Sequence, residues 1–163
     1  MKYFLQLICC LFLLQINSII ASSNIDYLIV EKSKRTLYVV KNNQVIKEMK
    51  ISLGFEPLGK KIKKGDGKTP EGIYYIEKKI SNSSYYLALK ISYPNKWDKL
   101  RAKDLNLNPG GQIMIHGLPL YNFDANYHNN KNDWTEGCIA VSNSQIKYLW
   151  NNTPLFTPIL IKK

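Results

Sequence analysis

Tyr85-Tyr86-Leu87-Ala88-Leu89-Lys90-Ile91-Ser92-Tyr93 is the stretch that decides the fold class. Tyr85, Leu87, Leu89 and Ile91 alternate with Tyr86, Ala88, Lys90 and Ser92. A period of two sends alternate side chains to opposite faces, the signature of a β-strand. Toward the N-terminus, residues 73–79 form another strand, preceded by a long loop over residues 54–72 in which Gly65-Asp66-Gly67 marks turns. A loop of that length inside a compact domain is more often functional than idle. Before it, residues 27–31 and 35–40 are β-branched and aromatic, Asn42-Asn43 is a tight turn, and residues 45–53 return as the second arm of a hairpin. Toward the C-terminus, residues 112–116 are a short buried strand ending at His116, and residues 156–161 a closing strand. Residues 143–150 form a helix that Ser142 or Asn143 can cap, with Ile146, Leu149 and Trp150 on one face. Many strands with one or two short helices predict a mainly β, sandwich-like or barrel-like domain.

The chain has 163 residues, 45% hydrophobic and 21% charged, which suits one globular domain rather than a disordered segment. Its formal net charge of +11 calls for anionic partners. Lys2, the apolar residues 4–14 interrupted by Gln6, and small residues at Ala21, Ser22 and Ser23 follow the order of a secretory signal peptide. The apolar run is short of the roughly 20 residues a membrane helix needs. Residues 1–23 are therefore expected to be removed after Ala21, Ser22 or Ser23. That leaves a domain of residues 24–163 in the periplasm or cell envelope with no stable membrane anchor. Cys9 and Cys10 leave with that segment, and Cys138 alone remains. A lone cysteine in an oxidising compartment has no internal disulfide partner and is either inert filler or a reactive thiol.

The context of Cys138 favours reactivity. It lies in Trp134-Thr135-Glu136-Gly137-Cys138-Ile139-Ala140-Val141, and His116-Gly117 closes a strand 22 residues earlier. An imidazole close in space can take the thiol proton and create a nucleophile. Gly137 lets the backbone turn sharply. The N–H groups of Gly137 and Cys138 are candidates for an oxyanion hole, and the Gly117 carbonyl can fix the His116 tautomer.

Ile115-His116-Gly117 with Thr135-Glu136-Gly137-Cys138-Ile139 resembles the L,D-transpeptidase catalytic domain, or YkuD domain. Asp66-Gly67-Lys68-Thr69-Pro70-Glu71-Gly72 is similar to that family's loop before a strand. Residues 91–95, Pro109-Gly110-Gly111 and Asp133-Trp134-Thr135 resemble one of its subgroups, and the likeness covers residues 26–161. The resemblance implies a β-sandwich of mixed sheets with a cleft, Cys138 as nucleophile, His116 as base and no cofactor. It implies a peptidoglycan stem peptide as substrate, attacked at the L-centre carbonyl of a diaminopimelate residue to give a thioester. An amine of another stem peptide, an envelope lipoprotein, or water then resolves that thioester. Members commonly carry Arg two residues after the cysteine; here it is Ala140, and the subgroup with Ile-Ala includes hydrolases, so transpeptidation and hydrolysis both stay open. Tyr93, His128, Trp134, Thr135 and Glu136 are expected substrate contacts, each with an ordinary structural reading beside it. Asp133 and Trp134 are expected to order the loop, and the cluster from Lys60 to Lys64 to be a solvated face. Three rivals remain: a zinc hydrolase using His116, His128 and Cys138, a nucleic-acid module, and a non-catalytic wall-binding protein. Scattered lysines and export count against nucleic acid.

Overall fold

The computed structural model describes residues 24–120 and 133–163. Eight strands form a mixed sheet: β1 (Tyr27–Glu31), β2 (Thr36–Lys41), β3 (Gln44–Lys50), β4 (Gly72–Ser83), β5 (Tyr86–Ile91), β6 (Met114–His116), β7 (Ile139–Ala140) and β8 (Pro158–Lys162). Among the described residues two helices, α1 (Lys96–Asp104) and α2 (Asn143–Asn152), accompany the sheet. The strand order is β3-β2-β1-β8-β4-β5-β6-β7.

Asn42 and Asn43 both take positive φ, 50° and 58°, as a two-residue hairpin turn requires. β2 and β3 consequently pair antiparallel, from Thr36 opposite Lys50 to Lys41 opposite Gln44. β8 enters between β1, which it meets in parallel, and β4, which it meets antiparallel. β4 joins the two parts of the sheet. Its first residues pair with β8 and its remainder, from Ile76, with β5. Both parts point into one core of Leu28, Val30, Val39, Tyr74, Ile76, Leu89, Ile91, Ile115 and Ile139, the arrangement expected of a mainly β sandwich of mixed sheets. Alternation in β5 holds for Leu89 and Ile91, but Ala88 is buried as well, because α2 lies over β5 and β6.

Ser142 caps α2 in a capping box with Gln145, and Ile146 and Leu149 are its buried face. α1 has no such face: it buries only Asp98 and Ala102. Polar bonds hold it instead. Asn95 and Asp98 form a capping box, and the Tyr74 hydroxyl donates to Asp98 Oδ2 at 3.0 Å. Among the described residues, no helix is long and apolar enough to cross a membrane.

Candidate active site

Parallel pairing of β6 and β7 sets Ile115 opposite Ile139 and His116 opposite Ala140. Cys138 stands just ahead of β7, so the register alone carries it to the strand that ends in His116. Both side chains line one cleft of about 780 Å³, together with Tyr85, Trp134, Glu136, Gln112 and Lys61.

His116 is 3% exposed. Its Nδ1 lies 2.7 Å from the Gly117 carbonyl oxygen. A carbonyl only accepts, so Nδ1 carries the proton and Nε2 keeps its lone pair. The ring sits between Tyr85, 4.3 Å away centroid to centroid, and Trp134, edge-on at 5.7 Å. Burial lowers the imidazole pKa to about 4, against a smaller upward pull from the Gly117 bond. The ring is therefore neutral at pH 7, with Nε2 unprotonated.

The Cys138 thiol donates to the Gln112 carbonyl at 3.6 Å. Burial pushes its pKa up; a backbone bond from Met114 and the charge of Lys61 oppose the rise, and Glu136 adds to it. Thiol and imidazole are thus both neutral at rest. Gln112 itself has φ of 59°, an uncommon conformation for a side chain of this size; the loop of Gly110 and Gly111 leads into it.

The nucleophile turn rests on two other loops. A Cβ on Gly137 would lie 2.6 Å from the Lys68 carbonyl oxygen, and one on Gly54 would lie 2.0 Å from that of Gly67. Thr69 Oγ1 accepts the Gly54 N–H at 3.0 Å. Asp66 accepts from Lys61 Nζ (2.7 Å) and from the N–H groups of Ile62, Lys63 and Lys68. Burial raises the Asp66 pKa, but these donors outweigh it and hold the carboxyl below its ordinary value. The Asp-Gly-Lys-Thr-Pro stretch is thus the bed on which the cysteine turn lies. Asp133 orders the approach to that turn, as expected: it takes Arg35 through two nitrogens and accepts the Leu53 N–H at 2.9 Å.

Several expectations need revision. The Gly137 N–H points to Thr135 Oγ1 at 3.1 Å, so it is already satisfied within the turn and does not face a substrate. Thr135 also donates to the Cys138 carbonyl at 2.7 Å, so this hydroxyl braces the turn from inside. Tyr93 is 3% exposed and donates to the Pro109 carbonyl at 2.9 Å; it belongs to the core, not to the cleft. Lys61 is not solvated: its side chain is 3% exposed and paired with Asp66 at 2.7 Å, while Lys60, Lys63 and Lys64 are exposed. Glu136 and Trp134 do line the cleft. His128, and with it the three-ligand zinc set, lies outside the described residues, as does the signal segment. Sequence reasoning missed Tyr85, Lys61 and Gln112 as site residues. Only the Lys61–Asp66 spacing inside a turn-rich loop offered a signal.

The His116 environment predicts a pH effect on stability. An unfolded chain has an imidazole near its ordinary value of 6.5, the folded one near 4. Between these pH values the unfolded state binds a proton that the folded state refuses, so stability falls as pH drops from about 6.5 toward 4. The loss is about 3 kcal/mol across the window. Urea midpoints at pH 7 and pH 4.5 should separate by less in His116→Gln than in the unmodified chain.

The chain matches the YkuD family, L,D-transpeptidase catalytic domain, over residues 25–161. YafK of Escherichia coli K12 is 34% identical over 97 residues, 56% of this chain and 37% of YafK. A mutant of Pgp2, the helical cell shape determining protein of Campylobacter jejuni, superposes with a TM-score of 0.66 at 26% identity, over 86% of this chain and 47% of that one. Bd1075 of Bdellovibrio bacteriovorus gives 0.61 at 31% identity, over 85% of this chain and 48% of that one. L,D-transpeptidase 1 of Mycobacterium tuberculosis shares the fold, at 16% identity and a TM-score of 0.51. The chain spans 37% of the length of YafK and 47% and 48% of the two bacterial structures.

Proposed function

Because this chain belongs to the L,D-transpeptidase catalytic domain family, we propose that it is an exported cysteine acyltransferase of the cell envelope acting on peptidoglycan stem peptides. One observation carries the reading. A neutral His116, its Nδ1 tied to the Gly117 carbonyl at 2.7 Å, shares a cleft with Cys138. Nε2 is then the lone pair that receives the thiol proton. Sγ bonds to the L-centre carbonyl carbon of diaminopimelate as the proton moves to His116. The bond to the terminal D-alanine breaks, and its amine leaves with that proton. A thioester remains on Cys138. An incoming amine, from a second stem peptide or an envelope lipoprotein, bonds to the thioester carbon and gives its proton to His116. The C–S bond breaks and the Cys138 sulfur takes that proton back, restoring the thiol and the neutral imidazole. With the Gly137 N–H engaged, the Cys138 N–H is the donor from this turn for the developing oxyanion. Lys64, exposed at the rim of the cleft, suits a substrate carboxylate, and Glu136 suits a free ammonium.

Water as the acceptor is the second reading, and Ala140 favours it. This residue is 1% exposed and faces His116 in the ladder, so no guanidinium reaches the cleft from the position two after the nucleophile. Mass spectrometry of the protein incubated with disaccharide tetrapeptide and with lipoprotein-linked wall fragments separates the readings. A thioester adduct with new 3→3 crosslinks is the expected result for transfer. Tripeptide or free lipoprotein without crosslinks identifies hydrolysis. No adduct and no product would favour a purely wall-binding role.

A further inference from the structure

The catalytic cleft does not stand alone on its face of the molecule. Asn108 lines both it and a second hollow of about 360 Å³. Lys99 and Lys103 line that hollow and also a third, of about 640 Å³, which Lys96 borders. Lys96, Lys99 and Lys103 stand at positions i, i+3 and i+7 of α1, on one helix face about 10 Å long. Among the described residues none of the three has a carboxylate within ion-pair distance. Among the described residues no acid lines the second hollow. Glu77 borders the third but is paired with Lys90 at 3.0 Å. Asp98 turns to Tyr74 and Arg101, and Asp104 lies at the helix end. α1 contributes little to the core, yet its start is fixed by a capping box and by a buried hydroxyl bond. A rigid helix without an apolar face presents its outer face to something other than the protein interior.

We propose that the lysine face of α1 is a subsite for a second carboxylate-bearing stem peptide of the same wall strand whose first stem peptide occupies the catalytic cleft. This rests on the reading of the cleft given above. A polymer with one stem peptide held at Cys138 must lay its neighbouring portion on adjoining surface, and the surface reached through Asn108 is cationic. Carboxylates recurring along the strand complement it, and the attraction is screened by salt.

The test uses the full chain with Lys99→Glu and Lys103→Glu together. Lys50→Glu with Lys147→Glu serves as a control of equal charge on exposed positions elsewhere. In a Cys138→Ala background, co-sedimentation with purified sacculi at low salt is expected to weaken about ten-fold for the α1 variant and not for the control. With Cys138 intact, turnover of soluble disaccharide tetrapeptide is expected to be the same in all three chains. Sacculi whose free carboxylates are capped as amides should retain the unmodified chain no better than the α1 variant. Equal sedimentation of α1 variant and control overturns the proposal. So does undiminished binding to capped sacculi, which would assign the surface to glycan or another polymer. Glutamate near a helix C-terminus opposes the helix dipole, so Lys99→Gln with Lys103→Gln replaces the double reversal if its melting temperature drops. Absence of soluble turnover in every chain would count against the catalytic reading while leaving the sedimentation result to decide the subsite.

Discussion

Cys138→Ala is expected to take up no acyl group and to turn over a soluble stem tetrapeptide about 10⁴-fold more slowly or worse. The substitution removes the only sulfur of residues 133–163 and leaves the rest of the site standing. The Thr135 hydroxyl bonds to the backbone carbonyl of Cys138, which alanine keeps. His116 holds its Gly117 bond and its place between two aromatic rings. What goes is the thiol's weak contact with the Gln112 carbonyl at 3.6 Å, so the melting temperature should move by only about 3 °C. Loss of activity with an unchanged fold separates chemistry from stability. Intact-mass measurement after incubation, alongside chromatographic assay of released D-alanine, reads both. Turnover above about one per cent of the parent value would place the nucleophile elsewhere.

Gly137→Ala is the second large effect, and it works through the backbone. Gly137 has φ of 128°, and an added Cβ would meet the Lys68 carbonyl oxygen at 2.6 Å and Ile113 Cδ1 at 3.2 Å. The first contact is with main chain that Asp66 and its four donors hold in place, so it cannot step aside cheaply. The cysteine turn must lift from its bed instead. A cost of about 3 kcal/mol is expected from the clash and the disfavoured φ together. Displacing Sγ by even an ångström relative to His116 should lower kcat/KM about 100-fold. Gly59→Ala separates the two causes. Gly59 also has positive φ, 78°, but its nearest neighbour would be Lys68 Nζ at 3.9 Å, so it should lose only about 1 kcal/mol. Urea denaturation of both variants, with kinetics on the folded fraction, makes the comparison. Equal losses would show that φ alone, and not the loop contact, makes glycine necessary ahead of the cysteine.

The catalytic reading and the α1 surface explain different parts of the same chain. The cleft holds a buried imidazole whose pKa burial lowers and a thiol whose pKa burial raises, so in the proposed reaction proton transfer is coupled to attack rather than stored as an ion pair beforehand. The net charge of +11 is not needed for that chemistry. On the proposed reading of the α1 surface it holds an acidic polymer beside the site, where exposed lysines act over a Debye length rather than by contact.

Local patterns in the sequence determined much of the fold. Period-two alternation marked β5, two adjacent asparagines fixed the β2–β3 turn, and Ser142 with an apolar stripe defined α2, because each depends on residues within one turn or one strand. Cys138 and His116 were expected to act together from residue types and a family resemblance, and the structure sets both in the lining of one cleft. Four features belong to the tertiary structure alone. α1 has no apolar period to betray it, since polar caps and a hydroxyl–carboxylate bond hold it. The last strand, β8, lies between β1 and β4, a placement that depends on partners far apart in the chain. Lys61 is buried because Asp66 and a loop carbonyl satisfy it, which composition cannot express. And the Gly137 N–H faces Thr135 rather than a substrate, because the direction of a backbone donor follows from how three loops pack, not from which residues they contain.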